Sequence, residues 1–218
     1  MSGELSLKSL NLKWLVLLAV ADVLAVLLFV APEIVNPSSL TQTSVGRVLT
    51  TTVMPVAVLL IVNVLPSDLK AMLVYWKPRG ALPGSEAFTK HGPADPRIDM
   101  ATLKKNVGHL PTAPAQQNSR WYQLYKQVQN DPAVAEAHKL FLMYRDMAAL
   151  SLPLVAIVPL ALYLIGTAQT APWLAAGLFS AQYLLNAFSA RWSGIRFVCN
   201  VLAVHSVEKV AVSRAKPA

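Results

Sequence analysis

Residues 14–30 read WLVLLAVADVLAVLLFV, an apolar run that only Asp22 interrupts. As a helix, this run would be about 26 Å long, close to the roughly 30 Å hydrocarbon core of a bilayer. Lys8 and Lys13 precede it in the manner of a signal peptide, but residues 31–33 (Ala-Pro-Glu) provide no cleavage site of small residues. We therefore predict an uncleaved first membrane span.

Three more apolar runs of similar length follow, at residues 48–65, 147–165 and 173–190. Across the 218 residues, 55% are apolar and 14% are charged, whereas about a quarter of an average soluble domain is charged. The sequence therefore predicts an all-α integral membrane protein with four transmembrane helices, at residues 14–30, 48–65, 147–165 and 173–190.

The basic residues predict the orientation, because Lys and Arg concentrate in cytoplasmic loops. Of the 19 basic residues, two precede the first run, eleven lie within residues 66–146, and five lie from Arg191 onward. Arg47 is the remaining one, and the loop 166–172 has none. We expect both termini and the central segment to be cytoplasmic in a multi-pass protein of the cell (inner) membrane. This distribution also accounts for the net charge of +8, so nucleic acid is not expected as a direct partner.

The cytoplasmic segment 66–146 changes character along its length. Six prolines and four glycines within residues 77–114 predict a loop-rich stretch with short helices at most. Residues 115–146 are predicted to be helical, with a break where Asp131 precedes Pro132, a helix-capping side chain before a proline.

Two longer helices are expected to extend from the membrane into the cytosol. A helix from Pro132 to Ile165 would project about 20 Å below the bilayer, and Pro153 and Pro159 either kink it or are tolerated by neighbouring helices. Residues 191–218 are predicted to form a basic amphipathic helix and tail, which packs within the protein or lies on anionic headgroups.

Trp121, Leu124, Tyr125 and Val128 are spaced by three and four residues and form one apolar stripe on a helix. The stripe, with Tyr122 beside it, either binds a soluble protein partner or packs this helix against the bundle. Packing is the more common use of such a stripe.

Arg97 is a further partner-binding candidate, within the segment Asp95-Pro96-Arg97-Ile98-Asp99. It can also pair with either aspartate, and ordinary surface electrostatics explain such a segment.

Asp22 is the most informative residue, because it lies eight residues from each end of the first run and hence near the bilayer midplane. An ionised carboxylate there is costly, so it should face the bundle interior or water. Gln182 lies at the same predicted depth in the fourth run, and Asn186 shares its face one turn away. These three side chains either join helices, with Asp22 paired to Gln182 within a subunit or between subunits, or line a cation path in an oligomer.

The sequence favours a protein that is not an enzyme and binds no cofactor or metal. His91, Asp95, Asp99 and His109 are residue types of metal and acid-base sites, but their spacing matches no metal signature. The one cysteine, Cys199, excludes intrachain disulfides and all-cysteine metal sites.

We expect a homo-oligomer in the lipid bilayer that couples a cytosolic signal or partner to membrane gating or perturbation. This architecture is generically like small bacterial membrane effectors of signalling or antiviral defence, although no residue motif carries that likeness. The first alternative is a scaffold or accessory subunit that anchors a soluble cytosolic protein. The second is a membrane enzyme acting on a lipid-linked substrate.

Overall fold

The computed structural model describes residues 7–30 and 65–207. Every regular element in these two ranges is helical, which confirms the all-α class for this part of the chain. The helices are α1 (Leu7–Val30), α2 (Ser67–Tyr75), α3 (Met100–Val107), α4 (Pro114–Val128), α5 (Pro132–Leu164) and α6 (Ala171–Val207). A 3₁₀ turn (Pro83–Glu86), a π turn (Ala87–His91) and an α turn (Gly92–Ala94) lie between α2 and α3. The predicted second span, 48–65, lies outside the described residues apart from Leu65.

Two described helical segments are long and apolar enough to cross a membrane: Asn11–Phe29 within α1, and α5. Four spans were predicted, so the described residues support the membrane prediction only in part. The predicted fourth span lies in α6, which is not among the two segments that are long and apolar enough to cross a membrane. Gln182 and Asn186 are among the polar residues of this helix.

Local capping sets the limits of α5. The carboxylate of Asp131 accepts hydrogen bonds from the backbone N–H groups of Ala133 (2.9 Å) and Val134 (3.1 Å), directly at the start of the helix. At the other end, Gly166 has a φ of +70°, a left-handed conformation that ends helices and suits glycine. The helix continues through Pro153 and Pro159.

The chain divides into two compact units. Unit 1 comprises residues 1–74 and 142–188, and its core lies where α1, α5 and α6 meet. On α5, every fourth residue from Leu150 to Leu162 is buried, which gives one apolar face along the helix. This face packs against Ala19 and Val26 of α1 and Phe179 of α6.

Unit 2 comprises residues 75–141 and 189–218. The irregular segment between α2 and α3 is held by the buried side chain of Gln117 on α4. Gln117 Oε1 accepts from the N–H of Phe88 in this segment at 2.9 Å. Gln117 Nε2 donates to the carbonyl of Thr112, which lies just before α4, at 2.7 Å. The segment thus packs on its neighbours in the same chain.

Helices α5 and α6 each have residues in both units. The basic amphipathic helix expected from residue 191 onward is the second half of α6, and it is continuous with the predicted fourth span. Phe197, Val198, Val201 and Leu202 of this half are buried within unit 2.

Candidate functional site

Four side chains of unit 1 form a hydrogen-bonded series, here called the polar chain: Asp22, Gln182, Ser151 and Asn186. Gln182 Nε2 donates to Asp22 Oδ1 at 2.8 Å and to Ser151 Oγ at 3.0 Å. Asn186 Nδ2 donates to Ser151 Oγ at 3.4 Å, and that hydroxyl donates to the carbonyl of Met147 at 2.9 Å. The polar chain therefore joins α1, α5 and α6 by side-chain hydrogen bonds.

Asp22 is 1% exposed within its own chain. Its Oδ1 accepts the amide of Gln182, but its buried Oδ2 has no hydrogen-bond partner among the described residues. A buried acceptor of this kind is uncommon in folded proteins and calls for a proton, a water molecule or a cation. The carboxyl group of Asp22 is thus an ionisable group of unit 1 that is buried with one oxygen left without a hydrogen bond to the described residues.

The sequence predicted an Asp22–Gln182 pair and left open whether it forms within or between subunits. The structure contains this hydrogen bond within one chain. Ser151, which accepts from both amides, was not predicted. A serine within an apolar run is a weak signal, because its hydroxyl commonly bonds its own helix, as Ser151 also does with Met147.

A second polar group of unit 1, here called the ion cluster, consists of Lys70, Arg145 and Asp146. Asp146 Oδ1 lies 3.3 Å from Lys70 Nζ and 2.9 Å from Arg145 Nη2. The side chains of Lys70 and Asp146 are only 3% and 6% exposed. With Asn11, the cluster lines a cavity of about 150 Å³. From the sequence, Lys70 and Arg145 counted for topology alone, because nothing in the spacing of the three residues shows that they meet.

The aromatic stripe of α4 lies inside unit 2. The rings of Trp121 and Tyr125 pack edge-on against Phe197 of α6, with centroids 5.0 and 5.1 Å apart, and the ring of His138 stacks on Phe197 at 4.5 Å. Tyr125 Oη lies 3.1 Å from His138 Nδ1. Trp121 and Tyr125 are 4% and 8% exposed, whereas Tyr122 is 50% exposed. Of the three aromatic partner-binding candidates, Tyr122 is thus the one at the surface.

Arg97, the fourth partner-binding candidate, is held by its neighbours. Its Nη2 lies 2.7 Å from Asp95 Oδ2, and its Nη1 donates to Asn200 Oδ1 of α6 at 3.1 Å. The hydrogen bonds from Arg97 lower the pKa of Asp95 to about 2, so this carboxylate is ionised at neutral pH. Asp99 instead caps α3, accepting from the N–H of Ala101 at 2.9 Å.

The four residues with acid-base or metal-ligand chemistry are not brought together. His91 lies 3.9 Å from a carboxylate oxygen of Glu86, and Asp95 and Asp99 have the separate partners given above. Within the described ranges, no group of three or more His, Cys, Asp or Glu side chains is placed to hold a metal ion.

The polar chain is therefore the candidate site, on the evidence of its hydrogen bonds and of the burial of Asp22. Comparison of the sequence and structure with protein-family models, with curated proteins and with solved structures finds no significant match.

Proposed function

We propose that this chain is a non-enzymatic, homo-oligomeric membrane protein of bacterial inner-membrane type that couples a cytosolic signal or partner to gating or perturbation of the membrane. The observation that carries the proposal is the buried polar chain, whose members lie on α1 and on the two helices that also build unit 2.

The surface of unit 1 supports its placement in a bilayer. Water-soluble proteins rarely expose large contiguous apolar patches, yet each long helix of unit 1 exposes several large apolar side chains. Those at least 57% exposed include Leu17, Leu24, Leu28, Leu160, Leu164, Leu174 and Leu185. This surface suits contact with lipid.

Aromatic and charged residues mark two boundaries of the proposed membrane region. Tyr163 and Trp173, 74% and 79% exposed, flank the short connection between α5 and α6. Exposed Tyr and Trp side chains favour the membrane–water interface. Arg145 of the ion cluster lies 18 residues before Tyr163 on α5, which is about 27 Å of helix and close to the thickness of a hydrocarbon core.

The four-span topology is kept as part of the proposal. Residues 48–65 have the length and composition of a span, and the first half of α6 would be the fourth. The amides of Gln182 and Asn186 donate hydrogen bonds to Asp22 and Ser151, which reduces the cost of placing them in a membrane.

Coupling would pass through α5 and α6. Helix α5 carries Ser151 of the polar chain and His138 of unit 2, and α6 carries Gln182 and Phe197. In unit 2, His138 and Phe197 stack on each other. A partner that changes this stacking acts on the same two helices that hold the polar chain.

Gating would consist of breaking the bond between Gln182 and Asp22. Freed of the amide, the carboxylate of Asp22 would face a water-filled path and favour cations over anions. The carboxylate is buried and accepts the amide of Gln182 at Oδ1, and we assign this arrangement to the closed state.

Topology is tested with single cysteines in a Cys199→Ser background. Gln169→Cys, in the exposed connection between α5 and α6, should react with a membrane-impermeant maleimide added to intact cells. Lys104→Cys, exposed on α3, should react only after lysis. Labelling of both positions in intact cells would contradict the proposed orientation.

Gating is tested by K⁺ release from proteoliposomes. Because the polar chain holds the closed state, Gln182→Ala should raise the basal release, and adding Asp22→Asn should return it to the wild-type level. Gln169→Ala, an exposed glutamine outside the polar chain, is the matched control. The gating proposal fails if Gln182→Ala releases no more K⁺ than this control, and a monomer by light scattering would contradict the oligomer.

Anchoring of a soluble protein is the second candidate function, favoured by one observation. Tyr122 is half exposed, and Lys126 Nζ lies 5.4 Å from the centroid of its ring, so α4 presents an aromatic and cationic surface. Tyr122→Ala in the full-length protein should abolish co-purification of the partner, while Tyr163→Ala, an exposed tyrosine of unit 1, should not. Equal recovery with both variants would eliminate this function.

A further inference from the structure

Unit 2 contains a cleft of about 470 Å³ where the segment around Arg97 meets α6. We call it the arginine cleft, because Arg97 and Arg196 both line it, together with Asp95, Trp192 and Cys199. Its walls thus combine two guanidinium groups with one carboxylate and one large aromatic ring.

The charge of the arginine cleft is net positive. Asp95 and Asn200 fix the guanidinium of Arg97 but leave it accessible, since the side chain is 55% exposed. Arg196 is exposed and has no hydrogen bond or ion pair with any described residue. Burial raises the pKa of the Cys199 thiol to about 12, so this group is neutral at pH 7. One carboxylate against two arginines leaves one positive charge unbalanced.

Helix α6 changes character along the face that reaches the cleft. Leu185, Phe188, Trp192 and Arg196 follow at intervals of three and four residues and therefore share one side of the helix. The first three are 69%, 46% and 75% exposed. An order of aliphatic, aromatic and then cationic residues is typical of a helix that passes from hydrocarbon through the interface into the phosphate layer.

We propose that the arginine cleft binds the headgroup of an anionic phospholipid of the cytoplasmic leaflet, with the phosphate on Arg196 and Arg97 and the glycerol end against Trp192. Guanidinium groups suit this role because their N–H groups match phosphate oxygens in pairs. Asp95 and Asn200 already hold Arg97 in place. This reduces the entropy cost of ordering that side chain when a ligand binds. This inference rests on one part of the proposed function, the placement of unit 1 in a membrane. It does not depend on gating.

Native mass spectrometry of the full-length protein in a neutral detergent tests the site. With equal amounts of phosphatidylglycerol and phosphatidylcholine added, the wild type should retain phosphatidylglycerol preferentially. Arg196→Ala should weaken that retention about fivefold, the effect of one cation near an anionic lipid surface. Arg79→Ala, an exposed arginine outside the cleft, should leave it unchanged. Arg97→Lys serves as a second variant, because it keeps the charge but loses the paired donors, and it should also weaken retention.

Three outcomes would overturn the proposal. The first is equal retention of the two lipids by the wild type, and the second is the same loss in Arg196→Ala and Arg79→Ala. The third is displacement of phosphatidylglycerol by millimolar glycerol 3-phosphate or inorganic phosphate, which would identify a soluble phosphate compound as the ligand. Lipid selectivity without K⁺ release would refute gating and leave the lipid site standing, so the two failures are distinguishable.

Discussion

Lys70 Nζ and Asp146 Oδ1 lie 3.3 Å apart inside unit 1, with both side chains almost fully buried. Removing one partner of a buried pair leaves the other charge without compensation, which costs about 3–5 kcal/mol, whereas replacing both with apolar residues is often close to neutral. Asp146→Ala leaves both Lys70 and Arg145 without their carboxylate, whereas Lys70→Met/Asp146→Leu leaves only Arg145. Asp146→Ala should therefore lower the thermal unfolding midpoint in detergent more than the double variant does.

Asp68→Ala is the control for this comparison, since Asp68 is an exposed aspartate on the same helix as Lys70. If Asp146→Ala and Asp68→Ala unfold at the same temperature, the ion cluster does not stabilise unit 1.

The Asp22–Gln182 hydrogen bond can be measured by a double-mutant cycle. The variants Asp22→Ala, Gln182→Ala and their combination should give a coupling free energy of about 0.6 kcal/mol, the average for hydrogen bonds between membrane helices. Reversible unfolding in mixed micelles provides the free energies. Strict additivity of the two changes would mean that the bond contributes nothing to the fold.

Gln117→Leu should loosen the irregular segment of unit 2. The buried N–H of Phe88 would lose its acceptor, and an unsatisfied buried group costs about 1–3 kcal/mol. We expect faster proteolysis between residues 80 and 112 than in Gln116→Leu, a change at the exposed neighbouring glutamine. Identical cleavage patterns would contradict this role of Gln117.

Gly194 lies on α6 where Tyr75 and Phe141 approach the backbone. A Cβ atom at this position would meet the hydroxyl of Tyr75 and would lie 3.0 Å from a ring carbon of Phe141. Gly194→Ala should thus destabilise unit 2 by about 1–3 kcal/mol through overpacking. Gly177→Ala on the same helix should stabilise the protein or leave it unchanged, because nothing lies within 4 Å of its Cβ position. A destabilised Gly177→Ala variant together with an unaffected Gly194→Ala variant would refute this packing.

The stability of unit 2 should fall in mild acid. His205 is 1% exposed and donates from Nε2 to the carbonyl of Leu124 at 3.0 Å, and burial lowers its pKa below the usual 6.5. The unfolded chain therefore binds a proton first as the pH falls below about 6.5, which favours unfolding until the lower pKa of the folded state is reached. Burial lowers the pKa of His91 in the same direction.

A comparison of unfolding midpoints at pH 7.5 and 5.5 checks this pH dependence. His205→Gln should reduce the difference between the two midpoints, and His109→Gln, at an exposed histidine, should not. A wild type that is equally stable at both values would contradict the prediction.

Periodicity and charge were enough to predict the all-helical class of the described residues. They also placed Asp22 and Gln182 at one depth, and the hydrogen bond between them was one of the two arrangements considered, because a buried carboxyl group needs a donor at its own depth. They were not enough for Ser151, Lys70 or Gln117, whose partners are set by how helices pack in three dimensions. The stripe of Trp121 and Tyr125 was recognisable from its spacing, but its neighbour Phe197 lies more than 70 residues further along the chain. No local pattern could identify that contact.

The continuity of α6 has a consequence for biosynthesis. Phe197, Val201 and Leu202, which are buried in unit 2, follow the predicted fourth span, residues 173–190. During translation, α4 and the first turns of α5 therefore lack this part of their core until α6 has left the ribosome. Unit 2 can acquire its native packing only after the helices of unit 1 have been synthesised, so a chain truncated before Phe197 would lack a folded unit 2.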